Sequence, residues 1–326
     1  MLRMKELAQM SGVSQSAVSL ILNGKADKRI AKETQDRVLA MAKKYDYQPN
    51  MQARNLRAKQ SNVIGVWMPL PVDNGYSELI ALLQRELKRN GYRPLFSFFE
   101  IPPMVSKEEF EKGVIYSLNT VCAYRIDGLI ALHYHENLCR KKVPKIFWNV
   151  EVEGFDFVEC DYRKAAFDAV NYLHGLGHRR IGFAGQETNR YYLELQKLLP
   201  RKGELTFLQC NYTSPIGGKD IVSQFTALKC PPTALLVHTD MVASGIIQEA
   251  MKVGISVPND LSIISFRGTL NADYCLPPLS NYSSFGRGIE TMVKNLIERI
   301  NNPGLPVRKI VIEQEFKERE SCRKIQ

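Results

Sequence analysis

Apolar positions along the chain fall into two regimes. From residue 4 to 45 they recur at helical spacing: Leu7 and Ala8, then Val18, Ile21 and Leu22, then Val38, Met41, Ala42 and Tyr45. Three short helices are expected there, the first from Met4 to Met10, the second after Ser14, the third from about Lys32 to Tyr45. Ser11-Gly12-Val13 breaks the first, because glycine takes the positive φ of a tight turn, and Ser14 is a good N-cap for the second. Asn23-Gly24 stops that second helix, and Lys25 to Arg29 reads as a basic loop. From Val63 onward, short apolar runs alternate with amphipathic stretches such as Tyr76 to Asn90. Strands are expected at Val63–Pro69, Pro94–Phe99, Gly128–Leu132, Lys145–Asn149, Arg180–Ala184, Leu205–Cys210, Ala234–His238 and Ser262–Phe266. Strand–helix alternation predicts parallel, doubly wound sheets. About 260 residues is large for one such sheet, so two lobes are expected. The fold class is therefore α/β, with an all-α module in front.

Between the two regimes lies Tyr47-Gln48-Pro49-Asn50 followed by Met51 to Lys59. Pro49 ends the preceding helix and Asn50 can cap a new one, marginal when alone in water. Ala53 leaves room for close helix approach, while Leu56, beside Arg54 and Arg57, has no core to join. Proteins of the minor groove insert such apolar wedges between base steps. An ordinary linker is the plainer alternative.

Composition narrows the picture. The chain has 326 residues, 44% hydrophobic and 24% charged, which excludes a largely disordered chain, a collagen and a disulfide-knotted miniprotein. No run reaches the eighteen or so apolar residues that cross a bilayer, and the start, Met1-Leu2-Arg3-Met4-Lys5-Glu6, lacks the apolar core of a signal peptide. A cytoplasmic, nucleoid-associated protein with no membrane partner is expected. Seven cysteines without a CxxC pair fit reduced thiols. The net charge of +10 is uneven: residues 1–60 hold twelve Lys/Arg against five Asp/Glu, and the rest is nearly neutral. Such asymmetry suggests a polyanion-binding unit fused to a body with another task.

Two helices joined by a glycine turn, with a third in support, describe a helix-turn-helix, whose second helix enters the major groove N-terminus first. That places Ser14, Gln15, Ser16 and Ser19 near base edges, where Gln pairs with adenine and Ser donates or accepts. Lys5, Lys25, Lys28 and Arg29 would meet phosphates. A small helical bundle with a polar face would use similar residues.

In open parallel sheets, ligands bind beyond the C-terminal ends of strands. Those ends, or the residues just past them, are Pro69, Leu70, His133, Tyr134, His135, Trp148, Asn149, Arg190, Asp240 and Arg267. Polar groups with a few large aromatics suit a small polar ligand. Catalytic and metal readings are weak. His133 and His135 lack a third ligand, and glycines 175 and 177 interrupt the pairing of His174 with His178. Gly217-Gly218-Lys219-Asp220 lacks the pattern of a phosphate loop, and no nucleophile elbow appears. No catalytic residue, metal or cofactor is assigned.

Lys5-Glu6-Leu7-Ala8, Gly12-Val13-Ser14, Ala17-Val18-Ser19, Asn23-Gly24 and Tyr47-Gln48-Pro49-Asn50 make the chain specifically similar to one family. Arg125 to Ile130, Leu176 to Gly182, Pro232-Thr233-Ala234 and Val257 to Ile263 extend the similarity over nearly the whole sequence. The chain resembles the lac repressor/galactose repressor (LacI/GalR) family of bacterial transcription regulators. The resemblance implies a hinge helix that folds on DNA, contributed by Asn50, Ala53, Arg54 and Arg57, with Leu56 as its wedge. It implies a body like the periplasmic sugar-binding proteins, with three crossovers. A headpiece of 1–48, a hinge of 49–60, one lobe of 61–158 plus 282–304 and another of 159–281 plus 305–326 are expected. It also implies a homodimer on a pseudo-palindromic operator and a small-molecule effector such as a sugar, with Arg190 and Asp240 at positions where relatives hold it; the strand ends add Pro69, Tyr134, Trp148, Asn149 and Arg267, and Arg267 beside Arg190 would favour a sugar acid or phosphate. Two departures stand out. Leu20 replaces the arginine that relatives carry after Val-Ser, and Ser265-Phe266-Arg267-Gly268-Thr269 replaces a Gly-Phe-Asp-Asp pattern, so a sugar-hydroxyl acceptor has become a cation. A small-molecule-binding or enzyme-like module whose basic headpiece serves another partner is the alternative.

Overall fold

The computed structural model describes residues 2–22, 24–26, 30–47, 60–70, 74–101, 105–201, 203–210, 214–283 and 285–325. They form two compact units, residues 1–61 and 62–326.

The described residues of the first unit form three helices, α1 (Met4–Met10), α2 (Gln15–Leu22) and α3 (Lys32–Lys44). Leu7, Ala8, Val18, Ile21, Val38 and Ala42 close a small core to which Ala26 adds. Tyr45, expected inward, is instead 42% exposed, and Lys44 Nζ lies 5.5 Å from its ring centroid. The helix ends at Lys44, so residue 45 leaves the helical register, and Tyr47 packs on the core in its place.

The second unit holds two six-stranded sheets. The first has the order β11-β5-β4-β3-β1-β2, built from β1 (Val63–Pro69), β2 (Arg93–Phe99), β3 (Gly128–Ala131), β4 (Lys145–Trp148), β5 (Asp156–Cys160) and β11 (Lys309–Ile312). Successive residues of a strand face opposite sides, and β1 uses both. Ile64, Val66 and Met68 pack under α4 (Asn74–Arg89) and α11 (Phe285–Asn301), whereas Trp67 packs under α5 (Lys107–Ala123). Both faces being covered explains the unbroken apolar run of β1.

The second sheet has the order β12-β10-β9-β8-β6-β7, from β6 (Ile181–Gly185), β7 (Leu205–Gln209), β8 (Ala234–Val237), β9 (Ser262–Ser265), β10 (Ser280–Ser283) and β12 (Glu315–Lys317). Helices α7 (Tyr162–Gly175) and α8 (Arg190–Leu198) cover one face, α9 (Gly217–Thr226) and α10 (Asp240–Lys252) the other. Gly218 belongs to α9, and a Cβ there would lie 2.1 Å from the Gly245 carbonyl carbon, so Gly218 serves close packing of α9 on α10. A short helix, α6 (Glu136–Arg140), follows β3, and a 3₁₀ turn spans Leu270–Tyr274.

The eight expected strands are present, most displaced by a residue at one end, but the lobe boundaries differ from expectation. β5 runs to Cys160, through the expected break at 158. β10 straddles the expected break between residues 281 and 282, and its residues pair with β9 and β12 in the second sheet. The segment 305–326, expected in the second lobe, is divided: β11 pairs with β5 of the first sheet and Ile312 enters its core, while β12 joins the second. The third crossover is thus Glu313-Gln314. The tail beyond it is structural, Ser321 Oγ donating to Ile263 O at 2.6 Å and Ile325 N to Leu176 O at 2.8 Å. No helix among the described residues is long and apolar enough to cross a membrane.

Candidate functional site

In the first unit, Gly12 turns the chain at φ +64°. Ser14 then caps α2 as expected, its Oγ accepting from Ala17 N at 3.2 Å and lying 2.9 Å from Ser16 Oγ. With Val18 and Ile21 buried, α2 leaves Gln15, Ser16 and Leu20 exposed and Ser19 half-buried, so the expected base-reading side chains share the outer side of one helix. Lys5 and Lys25 are exposed. Lys28, Arg29, Asn50, Ala53, Arg54, Leu56 and Arg57 lie outside the described residues.

In the second unit, a cavity of about 330 Å³ opens where the C-terminal ends of the two sheets meet. Four of the seven expected effector residues, Trp148, Asn149, Arg190 and Arg267, line it. Trp148 ends β4 and is 6% exposed because α11 offers it Gly288, where a Cβ would lie 2.3 Å from the indole. Asn149 follows at φ +56°, a conformation that Asn tolerates, and its Oδ1 accepts from Cys160 N at 2.9 Å, tying the ends of β4 and β5. Arg190 opens α8 under the cap of Asn189, whose side chain accepts from Tyr191 N. Its Nη2 donates to Glu159 Oε2 at 2.6 Å and its guanidinium lies 4.4 Å from the Tyr162 ring centroid. Burial works against the Arg190 charge, but the Glu159 bond together with the Tyr162 and Glu159 charges beside it outweighs burial and raises its pKa. Arg267 leaves β9 at φ +55°, between Phe266, stacked 3.9 Å from Tyr191, and Gly268, whose Cβ would strike Asn281.

The other three expected residues are displaced. Pro69 is buried at the end of β1, off the cavity. Tyr134 is 46% exposed, three residues past the end of β3, and Leu132 takes the lining position instead. His133 turns into an aromatic cluster with Trp67, Phe99 and Phe110. Asp240 is 1% exposed and borders only a neighbouring crevice, which Arg267 also lines. Its Oδ2 accepts from Thr269 N at 2.7 Å and from Thr269 Oγ1. Burial raises its pKa against these bonds and the Arg267 charge.

This two-part arrangement has close counterparts among known proteins. The model of "Bacterial regulatory proteins, lacI family" matches residues 3–50, and that of "Periplasmic binding protein-like domain" matches residues 170–322. The HTH-type transcriptional repressor CytR of Escherichia coli (strain K12) is 31% identical over 296 residues, covering 85% of this chain and 83% of the relative. The chain belongs to the lacI family of bacterial regulatory proteins. It is a DNA-binding transcription regulator with a periplasmic-binding-protein-like body. The fold agrees: a structure of the lac repressor dimer bound to operator and an anti-inducer superposes with a TM-score of 0.80 at 20% identity, covering 99% of both chains. A LacI family transcriptional regulator from Enterococcus faecium with bound ribose superposes at 0.69, at 21% identity over 81% of this chain and all of the other.

Several lining residues of this family member escaped the sequence reading: Tyr76, Tyr162, Gln186, Thr188, His238 and Gln314. His238 ends an expected strand, so the strand-end rule could have named it. Tyr162 and Gln314 follow β5 and β11, whose charged edges hid them from the apolar pattern. Burial and the Arg267 charge push the His238 imidazole down to about 3, so it is neutral at physiological pH and presents one donor and one acceptor. Tyr191 OH donates to Gln314 Oε1 at 2.6 Å, and burial raises the Tyr162 phenol, so both phenols keep their protons. Among the described residues no three His, Cys, Asp or Glu side chains gather as a metal would require.

Proposed function

We propose that this regulator is a homodimeric repressor whose operator affinity is set by a small polar ligand, a sugar or acidic sugar derivative, held in the cavity between the lobes. The carrying observation is that cavity, lined by aromatic and hydrogen-bonding side chains from both sheets, in a chain whose headpiece leaves Gln15, Ser16 and Leu20 on one exposed helix side. The ribose-bound relative holds a sugar in the same fold, which supports the class of ligand. Gln15, Ser16, Ser19 and Leu20 read base edges; Lys5, Lys25, Lys28 and Arg29 meet phosphates. The segment with Asn50, Ala53, Arg54, Leu56 and Arg57 acts as the hinge, Leu56 entering the minor groove. Two copies read the half-sites of a pseudo-palindrome in the cytoplasm. The chain regulates rather than catalyses, as its relatives do. Ligand binding changes operator affinity through the balance between open and closed bodies, by about 1–3 kcal/mol.

The test is a gel shift with fragments of the source genome, with and without a low-molecular-weight extract of the same cells. A retarded fragment whose binding the extract changes at least about fivefold is expected. Binding that no extract alters would remove the effector from this reading, and the absence of any retarded fragment would remove the operator.

A further inference from the structure

Several polar atoms in the walls of the cavity that the proposed function assigns to the effector are committed to the protein itself. Asn149 Oδ1 accepts from Cys160 N at 2.9 Å, Asn189 Oδ1 from Tyr191 N at 2.9 Å and Gln314 Oε1 from Tyr191 OH at 2.6 Å. Gln314 Nε2 donates to Asp161 O at 3.2 Å, and Arg190 Nη2 to Glu159 Oε2 at 2.6 Å. These bonds hold the walls in shape.

His238 is placed differently. It follows β8, whose neighbours on either side are β9 and β6. Its backbone is fixed: its N donates to Ala184 O at 3.0 Å, and the next residue, Thr239, caps α10 by accepting from Val242 N at 3.3 Å. The half-buried side chain lines the cavity, and neither ring nitrogen has a hydrogen-bond partner among the described residues. Nor is either nitrogen sealed in. The enclosed side-chain atoms without a partner, among the described residues, are Ser11 Oγ, Ser265 Oγ and Arg308 Nε. A polar ring left unpaired at the end of a central strand is a cost that a core position avoids. Burial and the Arg267 charge keep the imidazole neutral, so one nitrogen donates and the other accepts. A hydroxyl both donates and accepts, and therefore satisfies either nitrogen in either tautomer. A carboxylate only accepts and an ammonium only donates.

Resting on the reading of this cavity as the effector site, we infer that His238 is the specificity-determining contact, reading hydroxyl groups of a single-ring ligand. The volume, about 330 Å³, is at the small end of the range of ligand cavities and suits one ring. Trp148 and Phe285 give the ring an apolar wall, and His238 fixes its orientation against that wall. A ligand without a hydroxyl at that place leaves the imidazole unpaired and is rejected for that reason.

The experiment uses the full chain. The D-aldopentoses, D-aldohexoses and D-ketohexoses are screened at millimolar concentration by thermal shift, and those that stabilise the protein are measured by isothermal titration. At least one is expected to bind. His238→Phe keeps a flat ring but removes both nitrogens, and should bind that sugar about tenfold or more weaker. His238→Gln, whose amide again offers a donor and an acceptor, should recover most of the loss. The deoxy analogue that lacks the hydroxyl meeting His238 should show a similar loss on the wild type and no further loss on His238→Phe. Tm without sugar should not fall in His238→Phe, because the imidazole has no hydrogen bond to the described residues to lose; a structural role would lower it. Circular dichroism establishes that each variant is folded. Equal binding by wild type and His238→Phe would overturn the inference, as would a loss that comes with a lowered Tm and that His238→Gln does not recover. No sugar binding the wild type would overturn the hydroxyl assignment. Leu132→Trp, which fills the cavity, separates the two readings: a sugar that it loses and His238→Phe keeps leaves the cavity as the effector site without this role for His238. A sugar that both variants keep takes down both readings.

Discussion

Arg267 of the second lobe stands over Tyr76 of the first, its guanidinium carbon 5.4 Å from the ring centroid. Next to it, Leu270 N donates to Glu78 Oε2 at 3.1 Å. These contacts join the lobes beside the cavity. Tyr76 and Arg267 also line the cavity, so this contact between the lobes is part of the cavity wall.

The strength of that bridge is measurable. In a double-mutant cycle of Tyr76→Leu and Arg267→Gln, unfolding of the full chain in urea should show a coupling of about 0.5–2 kcal/mol. Strictly additive losses would mean that the contact contributes nothing to closure.

Leu20 should be legible in the operator. It is 38% exposed on α2, where an apolar side chain suits a thymine methyl group. Leu20→Arg is expected to shift preference toward guanine at one position per half-site, by about 1–3 kcal/mol. Site selection from random DNA with both proteins checks this, and identical logos would show that residue 20 reaches no base.

Operator binding should weaken steeply with salt. Residues 1–60 carry twelve Lys/Arg against five Asp/Glu, and a dimer presents this surplus twice. With about six to ten phosphate contacts, affinity should fall about three to five decades between about 50 and 200 mM salt. Fluorescence anisotropy measures the slope, and a flat plot would leave the basic headpiece without its electrostatic role.

Asp156 should govern acid stability. Its carboxylate is 2% exposed and accepts from Arg299 Nη2 at 2.8 Å, Arg308 Nη2 at 2.9 Å and Arg308 N at 2.8 Å. Burial opposes the charge, but the bonds from Arg299 and Arg308 outweigh it and hold the carboxyl below its ordinary range. A depressed carboxyl stabilises the fold above the unfolded-state value, about 3.9, and loses that contribution as pH falls through the folded-state value. Asp156→Asn should cost about 3–5 kcal/mol near neutrality, since it takes the carboxylate from Arg299 and leaves Arg308 with Glu298 alone, and should flatten the stability profile below about pH 4. Urea midpoints measured from pH 3 to 7 decide it; parallel profiles for the two proteins would exclude Asp156 as the titrating group.

The sequence by itself determined the helical headpiece, eight of the twelve strands among the described residues and the two-lobed class, because each rests on local periodicity. Ser14 and Gly12 settle the entry to α2 by their own conformational preferences, and Val63 to Pro69 is apolar throughout because both faces of its strand are covered. The missing strands lacked such a signal. Asp156–Cys160 owes its place to neighbours on both sides and to two arginines more than 140 residues away, and Lys309–Ile312 is an edge strand with one fully buried residue. Only tertiary structure decided where the chain crosses between lobes, since strand pairing, not composition, assigns a short polar segment to a sheet. Only it separated Asp240 from the cavity, by giving its carboxylate to Thr269, and brought Tyr76, Tyr162, His238 and Gln314 to it. Residues far apart in sequence share a cavity through the order of strands in a sheet, and local pattern does not record that order.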